Sequence, residues 1–495
     1  MVMSELRKFQ YFVNNNWYDP IGGKYFNSEN PANGEDWAKI PDCTEADINN
    51  AVLAAKAAFY DGPWGSMHPS ERGRILRRIG DVISKHADRL GTIETQDNGK
   101  LPKMITPGLK PDQWQVDSWH YYAGMCDKFE GSLIPAEAPN IHNYLKWEPF
   151  GVVAQILPWN SPLGTLIWKL APCLAAGNTV VLKPSEHSSC STLELMDVLL
   201  EADLPEGVLN VVTGYGDSTG EPLISHPDVR MVSFTGSTYG GRAVARLAAQ
   251  QVKPVIMELG GKSPQIVLPD ADIDLAVNGI AGGIFPAGGQ SCISGSRLLI
   301  HESIIEEFTE KLIKVVSKAQ VGPPNEPDTQ IGPMANKPHY QRVLNLIAEA
   351  EDAGHNLLLD GRSKCCDLGY YIGPTVFSNV PNDSELAQTE IFGPVVSTES
   401  WNSDAIVVGK ANDTIFGLAA GIWSKDIGKA MRIADKIEAG TVYINNYFNA
   451  ATQSPVGGFK QSGYGRENGW EGMRSYMQTK SVWLSTDPVQ PDPFG

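Results

Sequence analysis

Residues 151–186 read GVVAQILPWNSPLGTLIWKLAPCLAAGNTVVLKPSE, and two structural patterns alternate along them. The runs GVVAQIL and TVVLK are short, apolar and rich in valine, and each ends at a proline, which predicts two buried strands. Residues 161–176 between them predict a helix. A strand, a helix and a second strand in this order predict a parallel sheet that helices cover on both faces.

The same alternation continues to residue 261. The runs VLNVVTG, MVSFTGS and PVIMELGG predict further strands, and residues 188–202 and 238–251 predict helices. Ligands of parallel sheets bind outside the carboxyl ends of the strands. We therefore expect the polar side chains that follow these strands to meet at one edge of the sheet; they are Asn160, Lys183, Glu186, Ser237 and Glu258.

A second α/β pattern begins after Glu258. The apolar runs PQIVLPD, RLLIHES and GTVYINN are separated by amphipathic stretches, notably residues 302–319 and 338–353, which predicts a second lobe. Cys292 lies near its start in GGQSCISGSR, where small neighbours allow a substrate and backbone N–H groups to approach the sulfur. On these residues alone, a structural cysteine remains the alternative. The last residues, KSVWLSTDPVQPDPFG, predict one strand that needs a partner and a proline-rich tail.

Composition restricts the class of protein. A chain of 495 residues with 42% hydrophobic content is too long for one ordinary core, so several domains are expected. The net charge of −17 argues against nucleic acid and anionic membranes as partners. The seven cysteines, scattered apart from Cys365-Cys366, form neither a disulfide framework nor a CxxC metal motif. With no secretory signal and no run of ~20 apolar residues, these features predict a cytoplasmic protein without a metal.

Seven short motifs, spread in order over nearly the whole chain, resemble those of the aldehyde dehydrogenase superfamily; they are PWNSP (158–162), LKPSE (182–186), FTGS (234–237), MELGGKSP (257–264), GQSC (289–292), EIFGPV (390–395) and GGFKQSGYGREN (457–468). The resemblance implies an α/β fold with two doubly wound parallel domains plus a small β oligomerisation extension. It implies a homotetramer or homodimer. The implied division is an NAD-binding domain (1–130 and 150–257), a catalytic domain (258–460), and an oligomerisation hairpin with a terminal strand (131–149 and 478–495).

The resemblance also implies the chemistry. Cys292 would be the nucleophile, whose thiolate attacks the aldehyde carbon to form a thiohemiacetal. Asn160 would donate its side-chain amide to the oxyanion, beside the backbone N–H of Cys292. Glu258 would be the general base that activates water against the thioester, and burial should raise its pKa. We assign Lys183 both to this catalytic group and to the cofactor contacts.

For the cofactor, Lys183 and Glu186 would hydrogen-bond the adenosine ribose. A carboxylate accepts from a free 2′-hydroxyl and repels a 2′-phosphate, which favours NAD while leaving NADP possible. Ser237 and the N–H groups of the following helix would meet the pyrophosphate, and Glu390 and Phe392 the nicotinamide half. The full set of implied cofactor contacts is Ile156, Pro158, Trp159, Lys183, Ser185, Glu186, Phe234, Gly236, Ser237, Leu259, Glu390 and Phe392.

The chain departs from the family pattern in two places. Many relatives have Asn where this chain has Ala287, which removes an amide near the nucleophile. Several relatives carry bulky apolar residues in the aldehyde tunnel where this chain has Ser161, Gly164 and Thr165, so a wide tunnel is expected. The other implied tunnel residues are Trp168, Ile293, Phe448 and Val456, with Trp114 and Trp119 either joining them or lying in the core. No clear cationic anchor for a carboxylated substrate stands out, although arginines elsewhere could reach the tunnel.

The predicted function is NAD-dependent oxidation of a small-molecule aldehyde, bulky or ring-bearing, to the carboxylic acid. One alternative is a dehydrogenase that transfers the acyl group to coenzyme A, against which Glu258 argues because such relatives generally lack that base. The other is a non-catalytic binding protein that retains the fold, which the presence of Cys292, Glu258 and Asn160 disfavours.

Overall fold

The computed structural model describes residues 6–363, 366–488, 490 and 492–495. Cys365 and two positions of the proline-rich tail, residues 489 and 491, lie outside the described residues. Two large sheets, each covered by helices, account for most of the chain. No helix of the described part of the chain has the length and apolar character needed to cross a membrane.

The first sheet has eight strands, which lie in the spatial order Gly463–Tyr464, Val255–Glu258, Met231–Thr235, Val152–Ile156, Thr179–Lys183, Leu209–Val211, Tyr11–Val13 and Asn16–Tyr18. The five strands from 152 to 258 are parallel, as the alternating sequence pattern predicts. Antiparallel strands close both edges. The edge strand Gly463–Tyr464 comes from beyond the predicted catalytic segment and packs directly beside Val255–Glu258.

The second sheet has seven strands, in the order Asn356–Leu359, Thr375–Ser378, Val395–Trp401, Arg297–His301, Pro264–Val267, Ala419–Trp423 and Thr441–Ile444. Six of these strands are parallel, and Asn356–Leu359 is antiparallel. The smaller sheets consist of Arg7–Lys8, Glu35–Pro41 and Tyr25–Asn30; of Phe416–Gly417 and Phe459–Lys460; and of Met477–Ser485, Ile141–Pro149 and Ser132–Ile134. The α/β fold with two parallel sheets and a small β extension is therefore confirmed.

The α-helices are Glu45–Tyr60, Pro63–Ser66, Pro69–Lys85, Ala87–Asn98, Pro102–Ile105, Trp114–Met125, Pro162–Ala175, Cys190–Leu199, Glu221–Ser225, Thr238–Ala249, Ile273–Gly282, Ile305–Val316, Lys337–Asp352, Glu385–Gln388, Asp404–Asn412, Ile427–Ala434 and Gly469–Ser475. The five predicted helices are all present; four are slightly shorter than predicted, and Lys337–Asp352 is shifted by one residue. Pro162 begins its helix because the first turn needs no N–H from that position. Ser237 caps the helix Thr238–Ala249 by accepting a hydrogen bond from the N–H of Gly240 at 3.0 Å.

The terminal strand Met477–Ser485 is paired within its own chain. It runs antiparallel to Ile141–Pro149 over all nine residues, from Met477 opposite Pro149 to Ser485 opposite Ile141. The partner that the sequence requires for this strand is therefore the hairpin of the same chain, which satisfies the N–H and C=O groups along this edge. The other edge has no partner among the described residues, and Trp483 on this strand is 67% exposed.

Deleting residues 479–495 should produce smaller or aggregating species with reduced activity. The deletion removes most of the strand that pairs with Ile141–Pro149 and leaves that strand with open hydrogen-bonding groups. Light scattering and a turnover assay measure the two effects.

Deleting only residues 488–495 is the matched control, since it keeps the strand and the hydrogen bond from the N–H of Thr486 to the carbonyl of Asn140. A 479–495 deletion with native mass and activity would show that the strand is dispensable.

Candidate active site

The carboxyl ends of the central strands of the first sheet lie side by side. Ile156 is in register with Lys183 on one side and with Phe234 on the other. Thr235, which follows Phe234, is in register with Glu258. Four separate segments therefore deliver the polar residues predicted from the sequence to one edge of the sheet.

Cys292 lies in a tight turn that leads into the strand Arg297–His301 of the second sheet. The turn is tied by hydrogen bonds from the N–H of Ser294 to the carbonyl of Ser291 at 3.0 Å and from Ser294 Oγ to the carbonyl of Gly289 at 3.2 Å. Ala287, just before it, has a φ of 58°. Asn tolerates this left-handed conformation better than Ala does, so the departure from the family pattern places backbone strain here.

Gly261 connects the two sheets at Cys292. A β-carbon at position 261 would lie 2.5 Å from the carbonyl oxygen of Cys292, so only glycine permits this approach. The backbone N–H of Leu259 donates to the carbonyl of Ser462 at 3.0 Å, and Ser462 Oγ donates to the carbonyl of Gly260 at 2.7 Å. The segment after Glu258 is thereby held between the edge strand and the nucleophile turn.

Asn160 reaches the same turn from the first sheet. Its side-chain Nδ2 donates to the carbonyl of Gln290 at 2.9 Å, two residues before Cys292. Gln290 is itself fixed, because its Oε1 accepts from the N–H of Ala335 at 2.8 Å. The amide of Asn160 is thus oriented toward the nucleophile segment, and its second N–H has no acceptor among the described residues.

Burial dominates the electrostatics of Cys292. Desolvation, followed by the negative charges of Glu390 and Glu258, raises the pKa of the Cys292 thiol to about 12. The backbone N–H groups of Cys292 and Ile293 act in the opposite direction because they hydrogen-bond the thiolate. The resting side chain is a thiol, so a nearby base must take its proton before it attacks a carbonyl.

Glu258, the base predicted to activate water, lies in a dry environment. Its side chain is 9% exposed, and its Oε1 has no hydrogen-bond partner among the described residues. Burial and then Glu467 raise the pKa of Glu258 well above its usual range, against the opposing charges of Lys169 and Arg466. Lys169 Nζ forms a buried ion pair with Glu467 Oε1 at 2.6 Å and donates to Ser233 Oγ at 2.9 Å.

Lys183 and Glu186 form a separate polar group at the far end of the edge. Lys183 Nζ donates to the carbonyl of Pro184 at 3.1 Å and lies 3.7 Å from Glu186 Oε2, whose side chain is 29% exposed. An ammonium donor beside a solvent-facing carboxylate acceptor fits the two hydroxyls of a ribose. The contacts of Lys183 do not support its predicted place in the catalytic group, because they join it to Glu186 rather than to Cys292.

Ser237 and Phe234 shape the start of the next helix. A β-carbon at Gly236 would lie 2.6 Å from the ring of Phe234, so the chain must be glycine to turn over that ring. The helix Thr238–Ala249 then begins with its N–H groups at the partly exposed carboxyl edge of the sheet, a position that suits an anion. The remaining implied cofactor residues lie along the same edge: Pro158, Trp159 and Glu186 are partly buried, and Ile156, Ser185 and Leu259 are buried.

Glu390 and Phe392 approach this edge from the second lobe. Glu390 Oε1 accepts from the backbone N–H of Gly261 at 2.9 Å, and burial raises the pKa of Glu390 to about 7. Phe392, with a φ of 60°, packs edge-on against Trp159 with ring centroids 5.2 Å apart. His339, which sequence reasoning missed, holds this backbone through a 2.7 Å hydrogen bond between Nε2 and the carbonyl of Phe392.

The predicted tunnel residues near Ser161 are closely packed. Trp114, 37% exposed, packs against Trp168 with ring centroids 5.6 Å apart, as a wall residue would. Trp119 is fully buried in the core. Gly164 lies in tight packing rather than beside open space, since a β-carbon there would lie 2.8 Å from Ser161 Oγ and 3.4 Å from the Trp114 ring, so the expected widening is not seen at this position.

The other predicted tunnel residues contact neighbouring backbone or aromatic rings. Thr165 is one turn into the same helix, and its N–H donates to the carbonyl of Ser161 at 2.8 Å. The carbonyl of Ile293 accepts from Tyr447 Oη at 2.7 Å, and the ring of Phe448 lies 5.5 Å from that of Tyr447. Val456 pairs with the backbone of Glu467 through an isolated β-bridge.

Sequence reasoning missed three charged residues of this site. Lys169 directly follows Trp168, and Glu467 lies in the motif GGFKQSGYGREN. Their positions beside or within predicted site segments could have indicated both residues. Lys100 donates from Nζ to Ser161 Oγ at 3.0 Å, across sixty-one positions of sequence. No sequence pattern indicated that contact.

Comparison with known proteins agrees with this geometry. The sequence profile of the "Aldehyde dehydrogenase family" matches residues 17–482. The chain is 41% identical over 480 residues to human aldehyde dehydrogenase 1A1, covering 96% of this chain and 95% of the relative. It is 39% identical over 492 residues to (Z)-2-((N-methylformamido)methylene)-5-hydroxybutyrolactone dehydrogenase of Acinetobacter baylyi, covering 99% of each.

Solved structures are similar over nearly the whole length as well. The NAD+ complex of an aldehyde dehydrogenase from Bacillus cereus has a TM-score of 0.94 and 39% identity, with 97% of each chain covered. Betaine aldehyde dehydrogenase from Staphylococcus aureus in complex with NAD+ has a TM-score of 0.95 and 36% identity, covering 98% of this chain and 97% of the other. The chain therefore belongs to the aldehyde dehydrogenase family and is an NAD-dependent oxidoreductase that acts on aldehydes.

Proposed function

We propose that this enzyme oxidises a bulky or ring-bearing aldehyde to the carboxylic acid through a thiohemiacetal and a thioester on Cys292, and that Glu258 is the general base. The observation that carries the proposal is the hydrogen bond from Asn160 Nδ2 to the carbonyl of Gln290 at 2.9 Å. It joins the amide donor of one sheet to the nucleophile segment of the other. Cys292, Glu258 and Asn160 then have the nucleophile, base and oxyanion-donor roles that the reaction requires.

Attack begins when the Cys292 thiol loses its proton to solvent water and the thiolate approaches the aldehyde carbon. The raised pKa of Glu258 makes its carboxylate form a stronger base than an exposed carboxylate, which suits it to take a proton from water in the later hydrolysis. The Sγ–C bond forms, and the carbonyl oxygen becomes an oxyanion that accepts from Asn160 Nδ2 and the backbone N–H of Cys292. Each such donor stabilises the transition state by about 3 kcal/mol.

The chemistry that NAD supplies when bound is acceptance of a hydride. Lys183 and Glu186 would hold its adenosine ribose, Ser237 and the following N–H groups its pyrophosphate, and Glu390 with Phe392 its nicotinamide half. The oxidised carbon is then a thioester on Cys292. Glu258 removes a proton from water, the resulting hydroxide attacks the thioester carbon, and the C–S bond breaks to release the acid and the Cys292 thiolate.

The preference for a bulky substrate is supported by the aromatic side chains near Ser161. Trp114 and Trp168 offer aromatic faces on which a planar group can pack. A coenzyme A-acylating activity is disfavoured because Glu258 would hydrolyse the thioester first. We further propose a cytoplasmic homotetramer or homodimer with the division into domains given above, in which the terminal sheet contacts a neighbouring subunit.

Replacing Cys292 with Ala should lower turnover by about four orders of magnitude or more. Losses of this size follow removal of the nucleophile from a site whose catalytic residues act as a unit. NAD binding, measured by calorimetry, should persist because the sulfur does not contact the adenosine half. Cys126→Ala is the matched control, since that thiol is buried at the end of the helix Trp114–Met125. Substantial turnover by the Cys292 variant would contradict the mechanism.

Replacing Glu258 with Gln should preserve a stoichiometric burst of NADH and then stop turnover, because the amide cannot deprotonate water and the thioester accumulates. Stopped-flow absorbance separates the burst from the steady state. Added hydroxylamine should restore turnover by cleaving the thioester. If the burst itself disappears, the main role of Glu258 is activation of the thiol.

Replacing Glu186 with Ser should narrow the preference for NAD over NADP by about tenfold in kcat/KM. The change removes a partly exposed negative charge that would repel the 2′-phosphate. Glu206→Ser, at an exposed glutamate outside the site, controls for the loss of one charge. A wild-type enzyme that already prefers NADP would contradict the proposed role of Glu186 in repelling the 2′-phosphate.

A further inference from the structure

A histidine fixes the backbone of Phe392, one of the two residues proposed to contact the nicotinamide half of NAD. His339 lies in the first turn of the helix Lys337–Asp352, where its backbone N–H donates to the side chain of the capping residue Asn336 at 2.9 Å. Its ring Nε2 lies 2.7 Å from the carbonyl oxygen of Phe392. Because a carbonyl oxygen only accepts hydrogen bonds, Nε2 carries the proton and donates. The residue is thereby fixed both at its backbone and at its ring.

Phe392 needs this support because its backbone is in the left-handed region. Its φ is 60°, a value that residues with a β-carbon rarely adopt. Such a conformation persists only where neighbouring groups hold it. The hydrogen bond from His339 orients the carbonyl of the strained residue itself, and so it also sets the direction in which the Phe392 ring leaves the chain.

Arg342, one turn further along the same helix, binds the two preceding carbonyls. Its Nη1 donates to the carbonyl of Ile391 and its Nη2 to the carbonyl of Glu390, each at 2.8 Å. Three consecutive carbonyls therefore accept from one helix. The arginine fixes the path of the chain up to Phe392, and within the described residues His339 is the one side chain that donates to the carbonyl of Phe392.

The imidazole of His339 also packs against the loop that carries Asn160. Its ring centroid lies 4.8 Å from that of Trp159 and 5.8 Å from that of Phe392, and the rings of Trp159 and Phe392 are 5.2 Å apart. Trp159 directly precedes Asn160, whose amide donates to the nucleophile segment. The three rings therefore connect the cofactor side of the site to the proposed oxyanion donor.

The imidazole is neutral in this buried position. His339 is 8% exposed, and burial lowers its pKa to about 4, against the opposing effect of the hydrogen bond to Phe392. The positive charges of Arg342 and His187 act in the same direction as burial. A neutral imidazole has one N–H, and the carbonyl of Phe392 accepts it. The hydrogen bond is therefore independent of protonation in the neutral pH range.

We propose that His339 is a positioning residue for hydride transfer, whose N–H holds the Phe392 ring in the orientation that places the nicotinamide half against Cys292. The inference rests on the proposed function, since it assumes that Phe392 contacts the nicotinamide half. In that step the aldehyde C–H bond breaks, its electron pair leaves as a hydride to bound NAD, and an electron pair of the oxyanion re-forms the C=O bond of the thioester. Misplacement of the reacting atoms slows such a step steeply, so loss of the histidine should slow hydride transfer more than it weakens NAD binding.

The first test measures the hydride step. Stopped-flow absorbance follows NADH formation in the first turnover with benzaldehyde and with benzaldehyde deuterated at the aldehyde carbon. His339→Leu should slow this phase by about tenfold to a hundredfold and show a primary deuterium isotope effect on it. NAD affinity, measured by calorimetry, should change little because Lys183 and Glu186 hold the adenosine half. An unchanged rate, or a slower phase without an isotope effect, would overturn the proposal.

Two further variants separate the hydrogen bond from the ring. His339→Gln keeps an N–H donor near the position of Nε2 and should recover most of the lost rate, whereas His339→Phe keeps an aromatic ring beside Trp159 and should not. Gln341→Leu is the matched control, because it removes an amide donor from the exposed face of the same helix and should leave the rate unchanged. Recovery by His339→Phe equal to that by His339→Gln would contradict the role of the N–H. If His339→Leu unfolds, the comparison of these two variants decides.

A readout without turnover separates this inference from the proposed function. The fluorescence lifetime of enzyme-bound NADH reports how the nicotinamide ring is packed. A short component like that of free NADH should grow in His339→Leu and His339→Phe relative to wild type and His339→Gln. If wild type oxidises no aldehyde, the mechanism on Cys292 is refuted while the lifetimes still test His339. Equal lifetimes in all four proteins would overturn the positioning role.

Discussion

The site depends on the close approach of two backbones at Gly261 and Cys292. A β-carbon at position 261 would lie 2.5 Å from the carbonyl oxygen of Cys292, so the strand that carries Glu258 can reach the nucleophile turn only through glycine. The edge strand Gly463–Tyr464 holds the other side of this segment through the hydrogen bonds of Ser462. The two sheets are joined at the point where the base must face the sulfur.

This junction also removes water, and the removal sets the acid–base properties of the site. Burial raises the pKa values of Cys292, Glu258 and Glu390 together, because all three would carry negative charge in a dry environment. The two charges of the buried Lys169–Glu467 pair act on Glu258 in opposite directions: Glu467 raises its pKa and Lys169 lowers it. The resting Cys292 side chain is therefore a thiol, and its thiolate forms only during turnover.

Small and aromatic side chains pack closely at the end of the site that follows Asn160. Ser161 Oγ accepts a hydrogen bond from Lys100, and Gly164 lies close to Ser161 and to the ring of Trp114, which itself packs against Trp168. These contacts tie the segment that follows the proposed oxyanion donor to the helices around it.

The sequence by itself determined the family, the parallel α/β fold and most of the helix and strand positions. It could do so because hydrophobic periodicity and glycine-containing motifs such as MELGGKSP are local signals, and each of them restricts the backbone conformation of its own segment. It also indicated the edge at which Asn160, Lys183 and Glu258 meet, since parallel strands place their carboxyl ends together. The tertiary structure alone decided three other matters: the terminal strand pairs with the hairpin of its own chain, Trp119 lies in the core while Trp114 packs against Trp168, and Lys100 contacts Ser161. Each depends on contacts between residues that are distant in sequence, and no local pattern encodes which side chains such packing brings within a few ångströms of each other.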